Sequence, residues 1–131
     1  MSENSNLKDR PLIFKELTHK IIGAALEVYK TLGYGFIDAV YEKALLKELE
    51  LRGIPAKCDS SIQVSYKGDT IPCYLPNILV DDKVILELRT EEEYNSKNES
   101  QIINYLKATG IRVGLIINFG PDGCKPRRFV S

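Results

Sequence analysis

The sequence predicts an α/β domain with helices packed on a mixed β-sheet, and three observations carry that expectation. Apolar residues recur at three- and four-residue steps in two N-terminal segments and in one later segment, the spacing of half-buried helices. Between these segments lie short runs rich in Ile, Val and Leu, with strand character. A strand–helix–strand succession across residues 84–119 requires a parallel crossover, whereas the short gap between 77–80 and 84–88 requires an antiparallel hairpin.

Residues 1–10 are polar and expected to be flexible, which leaves 11–131 as one domain. From Leu12 onward, Phe14, Leu17, Ile21, Ala25 and Val28 mark one helical stripe, and Pro11 suits a first turn. Gly33-Tyr34-Gly35 should end that helix, because glycine adopts the left-handed conformation that closes helices. A second helix carries Val40, Tyr41, Ala44, Leu45 and Leu49 on one face, and Gly53 with Pro55 closes it.

Ile62, Val64 and Tyr66 alternate with polar residues as in a half-buried strand. Lys67-Gly68-Asp69 then turns the chain into a strand over Thr70–Tyr74, where Pro72 lacks a ladder donor and implies an edge or an irregular strand. Asn77–Val80 and Val84–Leu88 form a hairpin around Asp81-Asp82-Lys83. Ser96-Lys97-Asn98-Glu99 has capping-box spacing and opens a third helix through Ile102, Ile103, Tyr105 and Leu106, ended by Gly110. Val113–Phe119 is an almost unbroken apolar run, read as a strand buried on both faces. The basic stretch Asp122–Ser131 has room for one more short strand.

Composition narrows the class. The 131 residues are 44% apolar and 27% charged, which suits a globular domain and not a disordered chain. Eighteen basic residues balance eighteen acidic ones, whereas dedicated nucleic-acid binders usually carry a basic excess to neutralise phosphates. A DNA or RNA partner is therefore weakly supported by charge, and a protein partner stays open. Cys58, Cys73 and Cys124 are far apart with no Cys–His spacing for zinc, so reduced thiols are expected. The start lacks an apolar signal core, and no run approaches the roughly 20 apolar residues that cross a bilayer. The expectation is a cytoplasmic protein without a membrane role.

Charges placed in apolar surroundings are the candidates for chemistry. Glu87 and Arg89 stand two apart in the strand VILELR, so both side chains leave the same face. Buried charges are costly unless paired or functional, so they form either an ion pair or a carboxylate and cation projecting into a cleft. Asn77 precedes an apolar run in the adjacent hairpin strand, which sets it close to Glu87. Asp38 stands at the start of the second helix, where an acid also interacts favourably with the helix dipole. Asp81 with Asp82, and the run Glu91-Glu92-Glu93, read as solvated surface. Lys125, Arg127 and Arg128 have the charge to meet phosphate, but a basic tail is more often surface.

Longer segments carry a resemblance. LTHKIIGAALEVYKTLGYGFIDAVYEKALLKELELRGIPA, VSYKGDTI, NILVDDKVILELR, SQIINYLKATG and VGLIINFG occur in this order from about Leu17 to Val130. Together they resemble the GxxExxY family, a branch of the PD-(D/E)XK nuclease superfamily. The family's name motif corresponds to Gly35-Phe36-Ile37-Asp38-Ala39-Val40-Tyr41. The resemblance implies a restriction-endonuclease-like core in the order αβββαβ, with an additional N-terminal helix.

It also implies a site. Family members hold magnesium with a strand Asp, a Glu on the next strand and a helix acid, assisted by a Lys and a later Gln. Here those positions hold Asn77, Glu87, Asp38, Arg89 and Gln101. Two of the family's usual histidines correspond to Tyr29 and Asn98. Asp38, Asn77 and Glu87 are thus the candidate metal ligands, and Arg89 and Gln101 complete the catalytic set. Asn77 removes one negative charge and Arg89 fixes a permanent positive one, and Arg89 invites a direct pair with Glu87 in the metal's place. The resemblance therefore implies a degenerate nuclease kept as a nucleic-acid- or protein-binding module. The alternatives are a working magnesium-dependent nuclease on DNA or RNA, and a protein-assembly domain with no nucleic-acid role.

Overall fold

Lys15–Leu32 forms helix α1 and Asp38–Leu51 forms α2, followed by strands β1 (Ala56–Tyr66), β2 (Asp69–Val80) and β3 (Val84–Arg89). Helix α3 (Lys97–Thr109) then crosses to β4 (Val113–Gly120), and β5 (Gly123–Val130) ends the chain. The computed structural model describes residues 14–131, without the side chains of Asp59, Ser60, Ile62, Leu75, Pro76 and Asn77. The expected flexible segment 1–10, and Pro11 and Leu12, lie outside the described residues.

The five strands lie in chain order, β1-β2-β3-β4-β5. β3 and β4 run parallel and every other neighbouring pair is antiparallel, so the sheet is mixed as expected. Alternation along β3 divides the interior in two. Val84, Leu86 and Leu88 join Ile21, Ala25, Tyr41, Leu45 and Leu49 beneath α1 and α2. Ile85 instead joins Ile102, Leu106 and Ile116 beneath α3. The continuous apolar run of β4 follows from this layering, since Leu115 and Ile117 face one layer while Ile116 faces the other. Helix α3 sits so close to β4 that a Cβ added at Gly114 would meet Ile102 Cδ1 at 2.8 Å.

Several local expectations change. The strands foreseen at Thr70–Tyr74 and Asn77–Val80 are one continuous β2, paired with a longer β1 that begins at Ala56. β2 pairs with β3 only over Ile78–Val80, so Pro72 sits where β2 has β1 as its neighbour, opposite Gln63. That one-sided pairing tolerates a residue without an N–H. The basic C-terminal stretch is a full edge strand. Ser96 makes no side-chain cap hydrogen bond. The capping box is therefore replaced by Asn95, whose Oδ1 accepts from Lys97 N at 3.0 Å.

No disulfide links Cys58, Cys73 and Cys124. Burial pushes the Cys124 thiol up from 9.0 to about 11. The unfolded chain then loses its proton first as pH rises, so stability should fall between pH 9 and 11 and be unaffected below that window. Urea denaturation at pH 8 and pH 10.5 should show a smaller loss in Cys124→Ala, measured against that variant's own pH 8 value, with solvent screening of this half-buried thiol holding the difference to about 1 kcal/mol. An identical loss in both chains would contradict the assignment. No helix among the described residues is long and apolar enough to cross a membrane.

Candidate functional site

The carboxyl ends of the parallel strands β3 and β4 are where an α/β sheet commonly opens a ligand crevice. Glu87 emerges there on the α3 side of β3, two residues after Ile85, and is only 1% exposed. Burying a carboxylate requires a compensating partner. Arg89 supplies one, with Nη2 2.9 Å from Glu87 Oε2. Its Nη1 donates to the Leu88 carbonyl at 3.0 Å, and Nη2 also reaches Gln101 Oε1 at 3.4 Å. Gln101 Nε2 in turn donates to the Tyr105 hydroxyl at 3.2 Å, so α3 extends the polar chain. The direct Glu87–Arg89 pair is thus formed.

Asp38 reaches the same strand end from α2. Its Oδ1 accepts from Thr90 Oγ1 at 2.6 Å, one residue past Arg89. The loop that presents Asp38 is held by Tyr41. That side chain is fully buried and stacks on Phe119 with ring centroids 4.4 Å apart. The Tyr41 hydroxyl donates to the Gly33 carbonyl at 2.5 Å and accepts from Phe36 N–H at 3.4 Å. The motif tyrosine therefore shapes the Gly33–Ile37 loop from within the core. Tyr29 plays a parallel part, donating to the Gly120 carbonyl at 2.6 Å and tying α1 to the end of β4.

Asn77 lies in β2, one residue before the ladder that pairs Ile78 with Leu86. Continuing that register by one step sets its backbone opposite Glu87. Its side chain lies outside the described residues. Of the remaining predicted residues, Glu87, Arg89 and Gln101 form one connected group, and Asp38 joins the strand end through Thr90.

Residue-by-residue reading missed Asn118. In the parallel register it sits beside Arg89 on the neighbouring strand. Its Oδ1 accepts from Glu91 N–H, and its Nδ2 donates to the Glu91 carbonyl, both at 2.8 Å. The side-chain amide thus stands in for the next ladder step beyond β3, satisfying both backbone groups of one residue. A signal was available: a lone amide inside the apolar run VGLIINFG needs partners. Glu91 also departs from the solvated reading of its acidic run. It is half-buried, and its Oε1 accepts from Asn98 Nδ2 at 3.0 Å, while Glu92 and Glu93 remain exposed.

Divalent magnesium prefers several oxygen ligands and anionic ones above all. Among the described residues no group of three or more His, Cys, Asp or Glu side chains could hold a metal ion. The one carboxylate buried among the described residues already faces a guanidinium, and like-signed crowding of a cation beside Arg89 is unfavourable. The described residues, as arranged, do not fit magnesium. No reaction step through a metal follows from them.

Next to Arg89 a cleft of about 330 Å³ opens between the Thr90–Tyr94 segment, the start of α3 and the β4–β5 hairpin. Its walls include Glu91, Tyr94, Asn98, Asn118, Lys125 and Arg127. The Arg127 guanidinium lies 4.1 Å from the Tyr94 ring centroid, and its Nη2 is 3.7 Å from Glu99 Oε2. The basic C-terminal strand thus contributes to a concave surface, which its reading as plain surface did not anticipate.

No curated protein matches the chain significantly. Among solved structures, the crystal structure of SSO0001 is similar at 12% identity and a TM-score of 0.48, over 88% of this chain and 78% of that one. The family model described as the PD-(D/E)XK nuclease superfamily matches residues 15–129. With that match spanning both core layers and the strand end that carries Glu87, the chain belongs to the PD-(D/E)XK nuclease superfamily.

Proposed function

We propose that this chain is a nuclease-like domain that does not hydrolyse phosphodiesters and serves as a nucleic-acid-binding module. Its segments from about Leu17 to Val130 fit the GxxExxY branch, and its three separate thiols suit the cytoplasm. The observation that carries the reading is the buried Glu87 held 2.9 Å from Arg89. A guanidinium in that position neutralises the carboxylate that a catalytic magnesium would need. It cannot serve as a general base, since arginine stays protonated. Lys125 and the half-exposed Arg127 line the adjoining cleft, together with Arg89 and the acidic Glu91, Glu92 and Asp122, and offer local cations for phosphate contact despite zero net charge.

Two measurements test this. Thermal unfolding with increasing magnesium or manganese should leave Tm unchanged, because a ligand that binds the folded state must raise it. Plasmid and single-stranded substrates should stay intact with either metal, while a labelled oligonucleotide should show increased anisotropy on adding the metal-free chain. Metal-dependent cleavage that Glu87→Ala abolishes would establish a working nuclease instead. A flat anisotropy titration would remove the nucleic-acid role.

A further inference from the structure

We propose that the cleft beyond Arg89 holds one unpaired guanine nucleotide; this rests on the nucleic-acid-binding reading and names the substrate class of that surface. The cleft volume, about 330 Å³, lies at the small end of ligand pockets.

Its chemistry has three parts. The first is the carboxylate of Glu91, fixed from two directions. Asn118 clamps the Glu91 backbone through two 2.8 Å hydrogen bonds, and Asn98 Nδ2 holds its Oε1 at 3.0 Å. Such a group is preorganised, so a ligand need not order it. The second is a stacking platform, the half-exposed Tyr94 ring with the Arg127 guanidinium 4.1 Å from its centroid. Aromatic and guanidinium planes both stack on bases without regard to sequence. The third is cationic: Lys125 lines the same space with Arg89 and Arg127, which also face Glu87 and Glu99, and beside Glu92 and Asp122 it is the cation best placed to meet a phosphate.

The carboxylate decides which base. An ionised carboxylate only accepts hydrogen bonds, and each oxygen carries two lone pairs, so the bond from Asn98 leaves capacity for more. On the Watson–Crick edge, guanine alone presents two adjacent donors, N1–H and N2–H. Adenine and cytosine set an acceptor nitrogen beside their amino group, which a carboxylate repels. Uracil and thymine offer one N–H between two carbonyls. Asn98 Nδ2 carries a second hydrogen beside Glu91, and guanine O6 is an acceptor adjacent to N1. In a duplex this edge is consumed by pairing, so the nucleotide must be single-stranded or extruded. Reliance on stacking and hydrogen bonds also agrees with a chain of zero net charge.

Calorimetric titration of the full chain with GMP, AMP, CMP and UMP tests the assignment. GMP should bind at least about tenfold more tightly than the other three, the discrimination expected of a bidentate contact. Glu91→Gln presents one acceptor and one donor on the same frame and should abolish the preference, with circular dichroism unchanged. Tyr94→Ala should weaken GMP by about tenfold. Equal affinity for the four nucleotides, or a preference that survives Glu91→Gln, would overturn the guanine pocket. Labelled thymidine strands with and without one central guanine separate the two levels. Equal binding of both strands rejects the pocket and leaves the nucleic-acid reading standing, whereas binding of neither rejects both.

Discussion

Replacing Arg89 with alanine is expected to destabilise the domain by about 3 kcal/mol or more, because it leaves a buried carboxylate without its cation. Glu87 is 1% exposed, and the Arg89 side chain that faces it is 23% exposed. Partial solvent access to Arg89 puts the cost toward the lower end of what breaking a buried pair entails, about 3–5 kcal/mol. Urea denaturation should show the loss as a lower midpoint with an unchanged slope. The paired change Glu87→Leu/Arg89→Met should recover most of that stability, since removing both charges also removes their desolvation cost. A loss below about 0.5 kcal/mol in Arg89→Ala would mean that water already screens the pair, as at exposed ion pairs. The same variant separates architecture from chemistry. If the guanidinium stands in the metal's place, removing it should free Glu87 without conferring cleavage, because Asp38 is held by Thr90 and the neutral Asn77 adds no charge for magnesium.

Phe119→Ala should be as severe, at about 3–5 kcal/mol, through a cavity in the layer beneath α1 and α2. Phe119 is fully buried, lies nearly parallel to Tyr41 at 4.4 Å, and has Tyr29 tilted against it at 6.4 Å. Stacked aromatic pairs add about 0.5–1.5 kcal/mol to area burial. The consequence should extend beyond global stability. Tyr41 anchors Gly33 and Phe36, and Tyr29 anchors Gly120, so an unsupported Tyr41 ring should loosen the loop that carries Asp38. Hydrogen exchange at residues 33–38 should accelerate in Phe119→Ala more than exchange in α3, which packs on the opposite face. Uniform acceleration across both layers would show that the tyrosine does not transmit the defect. Phe119→Leu keeps most of the volume and should cost less than half as much.

How far the fold was legible depended on how local each signal was. The stripe Ile21, Ala25 and Val28, and the stripe Tyr41, Leu45 and Leu49, mark the buried faces of α1 and α2 because a helix repeats within a few residues. The unbroken run of β4 likewise marks burial on both faces. Pro72 correctly indicated one-sided pairing, yet the apparent break between Tyr74 and Asn77 concealed a continuous β2. The β1–β2 register shifts there, between the Ser60–Leu75 and Cys58–Ile78 pairs, so the strand continues through an irregularity that no local pattern announces. At the third helix, Ser96 matched a capping pattern while Asn95 does the capping. Both residue types cap well, so spacing alone could not choose between them.

By itself, then, the amino-acid order determined the three helices and the apolar runs of β3 and β4, that Glu87 and Arg89 leave one face of β3, and that this face bears charge inside an apolar strand. These follow from periods of two and of about 3.6 residues, which act between near neighbours. Only the tertiary structure decided that Thr90 meets Asp38 across 52 positions, that Asn118 grips Glu91 across 27, and that Arg127 lies over Tyr94 beside Arg89. Those contacts exist because the β3–α3–β4 crossover sets two strand ends side by side. Which distant polar groups meet there depends on sheet order and register, and no local repeat encodes either.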